Sequence, residues 1–373
     1  VSDSFRLGRI AGVPIGIHWS WLIGATLIAW SLAAGVFPET NPDHAEETHL
    51  LMAMVATVTF FACLVLHELG HAVQARRDQV EIEGITLWIF GGVARFSGDL
   101  PSAAAELRIA LAGPAVSLAL GVVLLAFAGT LALPDAVDGV VYWLGSVNVV
   151  LLVFNMLPAF PLDGGRVARA LLWMRKGDMD VATQSAVALS QGLARVLIAG
   201  GLAIVILGGA IGGVWLAFIG WFVLTAAQAE LAHSATRAAL AGLTSADVMA
   251  AMPVTVRPET SLAEFADRVF FPHRYATYPV TSNGLPVGLL PFKAVAAVPR
   301  DEWASRTAAQ AMIGLDRLVV TSPDEPAEEL LERLAAVPPH RALVLDDGRL
   351  VGLVSLTDLA RLVEMRAAMP GST

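Results

Sequence analysis

Leu50–Leu66 contains no acid or base, and it runs directly into His67-Glu68-Leu69-Gly70-His71. A helix makes sense of both halves. The apolar half is close to the length that crosses a bilayer, which takes about 20 residues. In the polar half, residues four apart share a helix face, so His67 and His71 can hold one metal ion. Glu68 lies beside them, where it can take a proton from water on the metal. Two histidines and a glutamate at the end of an apolar span are expensive to bury, and ionisable groups at membrane depth are functional by default.

Working outward, Ile17–Val36, Ile109–Leu133 and Val140–Leu162 are also free of Asp, Glu, Lys and Arg, as is Val196–Ala229. The last is too long for one helix of about 20 residues. With Val187–Arg195 added it forms two, broken at Leu207-Gly208-Gly209-Ala210-Ile211-Gly212-Gly213. The reading is six spans. Bases fall in every second connection: Arg6 and Arg9, then Arg76, Arg77, Arg95 and Arg108, then Arg166, Arg169, Arg175 and Lys176. The alternate connections carry acids such as Glu46, Glu47, Asp135 and Asp138 and no base. The positive-inside rule then puts both termini in the cytoplasm, and an even number of spans agrees, since it requires both on the same side.

The composition agrees. Of 373 residues, 56% are hydrophobic and 15% charged, with a net charge of −9. Disordered chains are poor in apolar residues, and a nucleic-acid binder shows a basic footprint; neither fits, so no nucleic-acid partner is expected. The single cysteine, Cys63, excludes a disulfide framework and thiolate-rich metal sites. Arginine far outnumbers lysine and alanine is abundant, which points to a GC-rich bacterial genome.

From about Ser245 the chain reads as a soluble domain that repeats itself. Asn283-Gly284-Leu285-Pro286-Val287-Gly288-Leu289-Leu290 matches Asp347-Gly348-Arg349-Leu350-Val351-Gly352-Leu353-Val354. Asn-Gly and Asp-Gly between apolar runs are hairpin signals. A strand and a helix precede each hairpin and a helix follows, giving two β-α-β-β-α units, about 245–303 and 304–373. This tail resembles a pair of CBS domains, a module that often binds adenine nucleotides and often dimerises. The resemblance implies a phosphate and ribose site at Gly352, Ser355 and Asp358, and a possible homodimer. The first copy has Pro291 and Ala294 in place of the hydroxyl and the acid. Ser355 reads equally as the N-cap of the helix that follows.

Catalytic zinc usually takes three protein ligands and leaves one position for water. A third candidate is Asp163, the only acid between Asp138 and Asp178, in Asn155-Met156-Leu157-Pro158-Ala159-Phe160-Pro161-Leu162-Asp163-Gly164-Gly165-Arg166. The ends of spans 2 and 4 lie on the same side of the bilayer. Proline and glycine there break regular helix, and such breaks at membrane depth line cavities. HExxH followed by N-x-x-P-x-x-x-x-D-G resembles the site-2 protease family of intramembrane zinc metallopeptidases. Gly12-Val13-Pro14-Ile15-Gly16-Ile17-His18-Trp19-Ser20 looks like that family's opening segment, and the tail fits its CBS-bearing subgroup. The subgroup with an inserted PDZ domain does not fit, because about 30 residues separate spans 2 and 3 and a domain needs at least about 50.

The resemblance implies a polytopic α-helical membrane protein with an α/β CBS-pair domain: a six-span metalloprotease part at 1–235, a linker at 236–244 and the tail at 245–373. It implies one Zn2+ per chain on His67, His71 and Asp163, Glu68 as general base, and Asn155 holding the substrate carbonyl. Glu81–Phe96, with Gly91 and Gly92, looks like the family's membrane-associated hairpin, which would pair with an unwound substrate. It reads equally as a plain cytoplasmic hairpin. Expected partners are the lipid bilayer and a single-span substrate, such as an anti-sigma factor or a membrane-tethered transcription factor. The expected location is the bacterial inner membrane. The alternative is a channel or transporter gated by the CBS pair, which would give HExxH and Asp163 no joint role.

Overall fold

Apolar stretches become helices here because a backbone in hydrocarbon must satisfy its own hydrogen bonds. The computed structural model describes residues 4–89, 91–97 and 100–368. By their contacts the residues group into Val1–Leu231 and Ala232–Thr373. Among the described residues six helical segments are long and apolar enough to cross a membrane: Trp21–Thr40, Glu46–Arg77, Ala103–Thr130, Asp135–Asn155, Met179–Ile206 and Gly212–Leu240.

The first unit opens with β1 (Ser4–Ile10) and β2 (Val13–His18). Helix α1 (Trp21–Ser31) passes through a wide turn at Leu32–Val36 into α2 (Phe37–Thr40). The long helix α3 (Glu46–Arg77) leads to the hairpin of β3 (Glu81–Trp88) and β4 (Gly91–Ser97). Then come α4 (Ala103–Thr130), α5 (Asp135–Asn155), α6 (Asp163–Lys176), α7 (Met179–Ile206) and α8 (Ala210–Leu240). The four strands form one sheet in the order β1-β2-β3-β4. β2 and β3 run parallel, with Ile15 opposite Ile85 and Ile17 opposite Leu87. Val13 and Ile85 bury against Ala72 of α3, which seats the sheet beside the HExxH helix.

Two boundaries differ from the sequence reading. Ile17 and His18 end β2, so the first span starts at Trp21 rather than Ile17. The fourth span ends at Asn155 rather than Leu162, where Pro158 and Pro161 in close succession each remove an N–H donor and disfavour helix in the residue before them. The proposed break between the last two spans is present, at Leu207–Gly209, with Gly208 at φ +95°. Gly201 shows why those helices are rich in small residues. A Cβ there would lie 2.5 Å from the carbonyl oxygen of Gly213, so α7 and α8 meet backbone to backbone.

The second unit contains α9 (Ser245–Val248), β5 (Ala250–Ala251), α10 (Leu262–Phe265), α11 (Phe271–His273), β6 (Thr277–Ser282), β7 (Leu285–Pro291) and α12 (Phe292–Ala296). The second repeat supplies α13 (Ala308–Ala311), β8 (Ile313–Gly314), β9 (Val319–Thr321), α14 (Ala327–Ala336), β10 (Arg341–Asp346), β11 (Arg349–Ser355) and α15 (Leu356–Ala368). Both expected hairpins form. Asn283 and Gly284, like Asp347 and Gly348, have positive φ, as a tight turn between twisted strands demands. The two sheets are β5-β11-β10-β9 and β6-β7-β8. Each repeat thus lends its opening strand to the other: β5 pairs with β11, and β8 pairs with β7. Capping boxes at Thr244/Asp247 and Thr307/Gln310 start α9 and α13 in the same way.

Candidate metal centre

Helical spacing on α3 brings the two imidazoles together, with Nε2 of His67 3.2 Å from Nε2 of His71. Asp163 completes the set. Its Oδ2 is 3.2 Å from His67 Nε2 and its Oδ1 is 3.2 Å from His71 Nε2. These three residues form a donor group able to hold a metal ion. The spacing suits zinc, because a tetrahedron with donors about 2.0 Å from its centre has edges of about 3.3 Å.

The rings are fixed from behind by α4. His71 Nδ1 is 2.7 Å from the carbonyl oxygen of Ile109. A carbonyl only accepts, so Nδ1 carries the hydrogen and Nε2 presents its lone pair to the centre. His67 Nδ1 pairs with the hydroxyl of Ser117 at 2.8 Å. Both histidines are buried, as is Ser117. Gly113, on the same helix, faces the two ring nitrogens. A Cβ there would sit 2.2 Å from His71 Nε2 and 2.7 Å from His67 Nε2. The missing side chain leaves room where an ion would sit.

Asp163 arrives by a different route. After Asn155 the chain turns back on itself and restarts as α6, with Asp163 as its first residue. Gly164 and Gly165 lie directly on this turn, where Cβ atoms would come within 2.3 Å of the Leu157 carbonyl oxygen and 2.6 Å of the Ala159 carbonyl carbon. The Phe160 N–H donates to the Ser190 hydroxyl of α7 at 3.1 Å.

Glu68 is half-buried, and Gly92 lies against it. A Cβ on Gly92 would be 2.5 Å from Glu68 Cγ. Gly92 pairs with Leu87 and Gly91 with Trp88, so the hairpin expected over Glu81–Phe96 forms, with Gly92 of β4 against Glu68. Phe90 lies outside the described residues. Asn155, half-buried, is the last residue of α5. In the tail, Gly352 lies on β11 against Met249, with 2.2 Å from a Cβ to the sulfur. The Ser355 hydroxyl accepts from the Asp358 N–H at 3.2 Å and donates to the Asp358 carboxylate. Ser355 therefore caps α15.

Ile109, Gly113 and Ser117 escaped sequence reading because they sit in an apolar run and one acts through its backbone. Ser117 alone left a trace, as a hydroxyl deep in that run. Also missed was a buried ion cluster. Arg169 of α6 binds Glu106 of α4, Nη2 to Oε1 at 2.6 Å, and Glu230 of α8. In the sequence alone Arg169 reads only as a base between two spans.

Comparison with known proteins gives the family of the chain. A model described as Peptidase family M50 matches residues 55–137 and 131–199, and one described as CBS domain matches residues 313–364. The chain is 41% identical over 377 residues to Rip3 of Mycobacterium tuberculosis, covering 100% of this chain and 96% of that protein. It is 31% identical over 358 residues to the zinc metalloprotease MJ0392 of Methanocaldococcus jannaschii, covering 96% and 95%. A solved site-2 protease from Methanocaldococcus jannaschii is 31% identical, with 61% of this chain and 95% of that chain covered and a TM-score of 0.42. The sequence and its site define an integral membrane metallopeptidase. The chain belongs to Peptidase family M50, the site-2 proteases, a zinc metalloprotease family, and carries a CBS tail.

Proposed function

We propose that the chain cleaves single-span membrane proteins within or beside their transmembrane segments, using one zinc ion held by His67, His71 and Asp163. The observation that carries this is the donor set itself: three groups at 3.2 Å, with the back of each ring hydrogen-bonded. Zinc when bound supplies Lewis acidity and lowers the pKa of water. Glu68 stands next in sequence to His67 and half in the open, where it takes the proton from attacking water and returns it to the leaving amine. Asn155 donates its amide to the oxygen of the scissile carbonyl.

A substrate helix has its carbonyls hydrogen-bonded and must unwind before attack. β4 is an edge of its sheet, and Gly92 puts that edge against Glu68. An unwound segment added along β4 would deliver its backbone to the base. Substrates of the anti-sigma or membrane-tethered transcription factor kind supply the required single span. The alternation of bases and acids supports a bacterial inner-membrane protein with both termini cytoplasmic.

The domain division proposed is 1–235 for the protease, 236–244 for the linker and 245–373 for the CBS pair. The pair acts as a regulatory or dimerising module, binding adenine nucleotide near Ser355 and Asp358. Arg341, opposite Ser355 across the β10–β11 ladder, adds a cation beside this position. Gly352 contributes less than its motif suggests, since Met249 fills the space beside it.

The test is cleavage of a membrane-spanning substrate by purified protein, by Glu68→Gln, and after chelation. Equal cleavage in all three would overturn the protease reading. Titration with ATP and AMP tests the tail. Absence of binding, or binding untouched by Asp358→Ala, would overturn the nucleotide site.

A further inference from the structure

One buried cluster has no part in the chemistry above. Glu106 is fully buried, and its Oε1 takes two donors of Arg169, Nε at 2.7 Å and Nη2 at 2.6 Å. Its Oε2 is buried with no hydrogen-bond partner among the described residues. The remaining arm of Arg169 reaches Glu230. The guanidinium also sits over the Phe160 ring, 5.3 Å from its centroid, in the turn that delivers Asp163. Burying such ions gains little stability, because desolvation offsets their attraction, and apolar replacements are often as stable. An unpartnered carboxylate oxygen makes the arrangement more costly still. What the cluster provides is geometry.

Glu106 lies on the face of α4 that also presents Ile109, Gly113 and Ser117, at spacings that keep all four on one side. That face sets the two histidines. Arg169 is on α6, where Asp163, Arg166 and Arg169 follow one another at the three-residue spacing of helical neighbours. Arg166 is within electrostatic reach of Asp163, Glu106 and Glu230. We infer that the Glu106–Arg169–Glu230 cluster is a positioning device. It locks the rotation and depth of α6 against α4 and α8, and so holds the Asp163 carboxylate in register with His67 and His71. Arg suits the task because its planar fork grips two carboxylates in fixed directions. A ligand set tolerates displacements of only about 0.5 Å.

The inference rests on the zinc reading, and the experiment separates the two. Full-length protein is purified in micelles as wild type, Arg169→Met, Arg169→Lys, Glu230→Gln and, as a reference, Asp163→Asn. Zinc affinity is measured by competition with a chelator, alongside unfolding temperature and kcat and KM on a membrane-spanning substrate. The expected result is a loss of zinc affinity of about 10–100-fold in Arg169→Met, the range seen when groups behind metal ligands are removed. kcat falls and KM holds. Arg169→Lys recovers part of the loss, and Glu230→Gln shows a smaller loss in the same direction. Wild-type zinc affinity in Arg169→Met overturns the inference. If that variant does not fold, wild-type affinity in Glu230→Gln overturns it. A wild-type protein that binds no zinc, or an Asp163→Asn variant that binds it equally, overturns the zinc reading instead.

Discussion

Gly92 of the β3–β4 hairpin and Glu68 of the HExxH helix are in contact, with no room between them for a methyl group. The contact ties the sheet edge to Glu68, the proposed base, and it depends on the absence of a side chain. In Gly92→Ala the new Cβ would fall 2.5 Å from Glu68 Cγ, so the glutamate must swing away. Cleavage should drop by about 100-fold, the cost of misplacing a catalytic group by about 1 Å. Zinc content, read by elemental analysis, should stay at the wild-type level, because neither histidine nor Asp163 is touched.

Gly113→Ala should give the opposite pattern. Its methyl group would intrude on both Nε2 atoms, at 2.2 and 2.7 Å. Zinc should be lost from purified protein, with affinity down at least about 100-fold, beyond the usual range for groups behind the ligands. The helical circular dichroism should be unchanged, since alanine favours helix.

Ser117→Ala removes the partner of His67 Nδ1. The ring then lacks its orienting hydrogen bond, and zinc affinity should fall about 10-fold. Competition with a graded series of chelators would measure it. Ser117→Thr should retain the affinity if the hydroxyl keeps its place.

The tail carries a pH-dependent cap. The Thr244 N–H donates to the Asp247 carboxylate at 2.9 Å, and with the Thr244 hydroxyl it holds that carboxyl below the usual carboxylate range. A depressed folded-state pKa stabilises the folded form fully above the unfolded value of about 3.9. The stabilisation disappears as pH falls through the lower folded value. Unfolding of the tail, followed in the full-length protein from pH 6 to pH 3, should show this loss. Asp247→Ala should lower stability at pH 6 and flatten the slope.

The donors of the metal centre were legible because each broke a pattern. His67 and His71 end a charge-free span, and Asp163 stands alone among acids over a long stretch. Five charge-free stretches and one glycine-rich break give the six spans, and Asn-Gly and Asp-Gly give both tail hairpins. What stayed hidden works by absence or through the backbone. Gly113 looks like any small residue in a packed helix, and the Ile109 carbonyl carries no side-chain signature. Only the end of β2, Ile17 and His18, reads as part of the first span, because these uncharged residues run straight into the apolar helix. Arg169 is hidden for a different reason: an arginine between two spans signals topology, and its burial between Glu106 and Glu230 depends on contacts across 63 and 61 residues of chain.

The exchange of opening strands in the tail bears on how this protein could be dissected or rearranged. Because β5 completes the sheet of β9–β11 and β8 completes the sheet of β6 and β7, the boundary between repeats in sequence is not a boundary in the fold. A cut near residue 304 would yield two torn halves, each missing a strand and exposing a raw edge to its neighbours. The two repeats could be gained or lost in evolution only as one indivisible cassette.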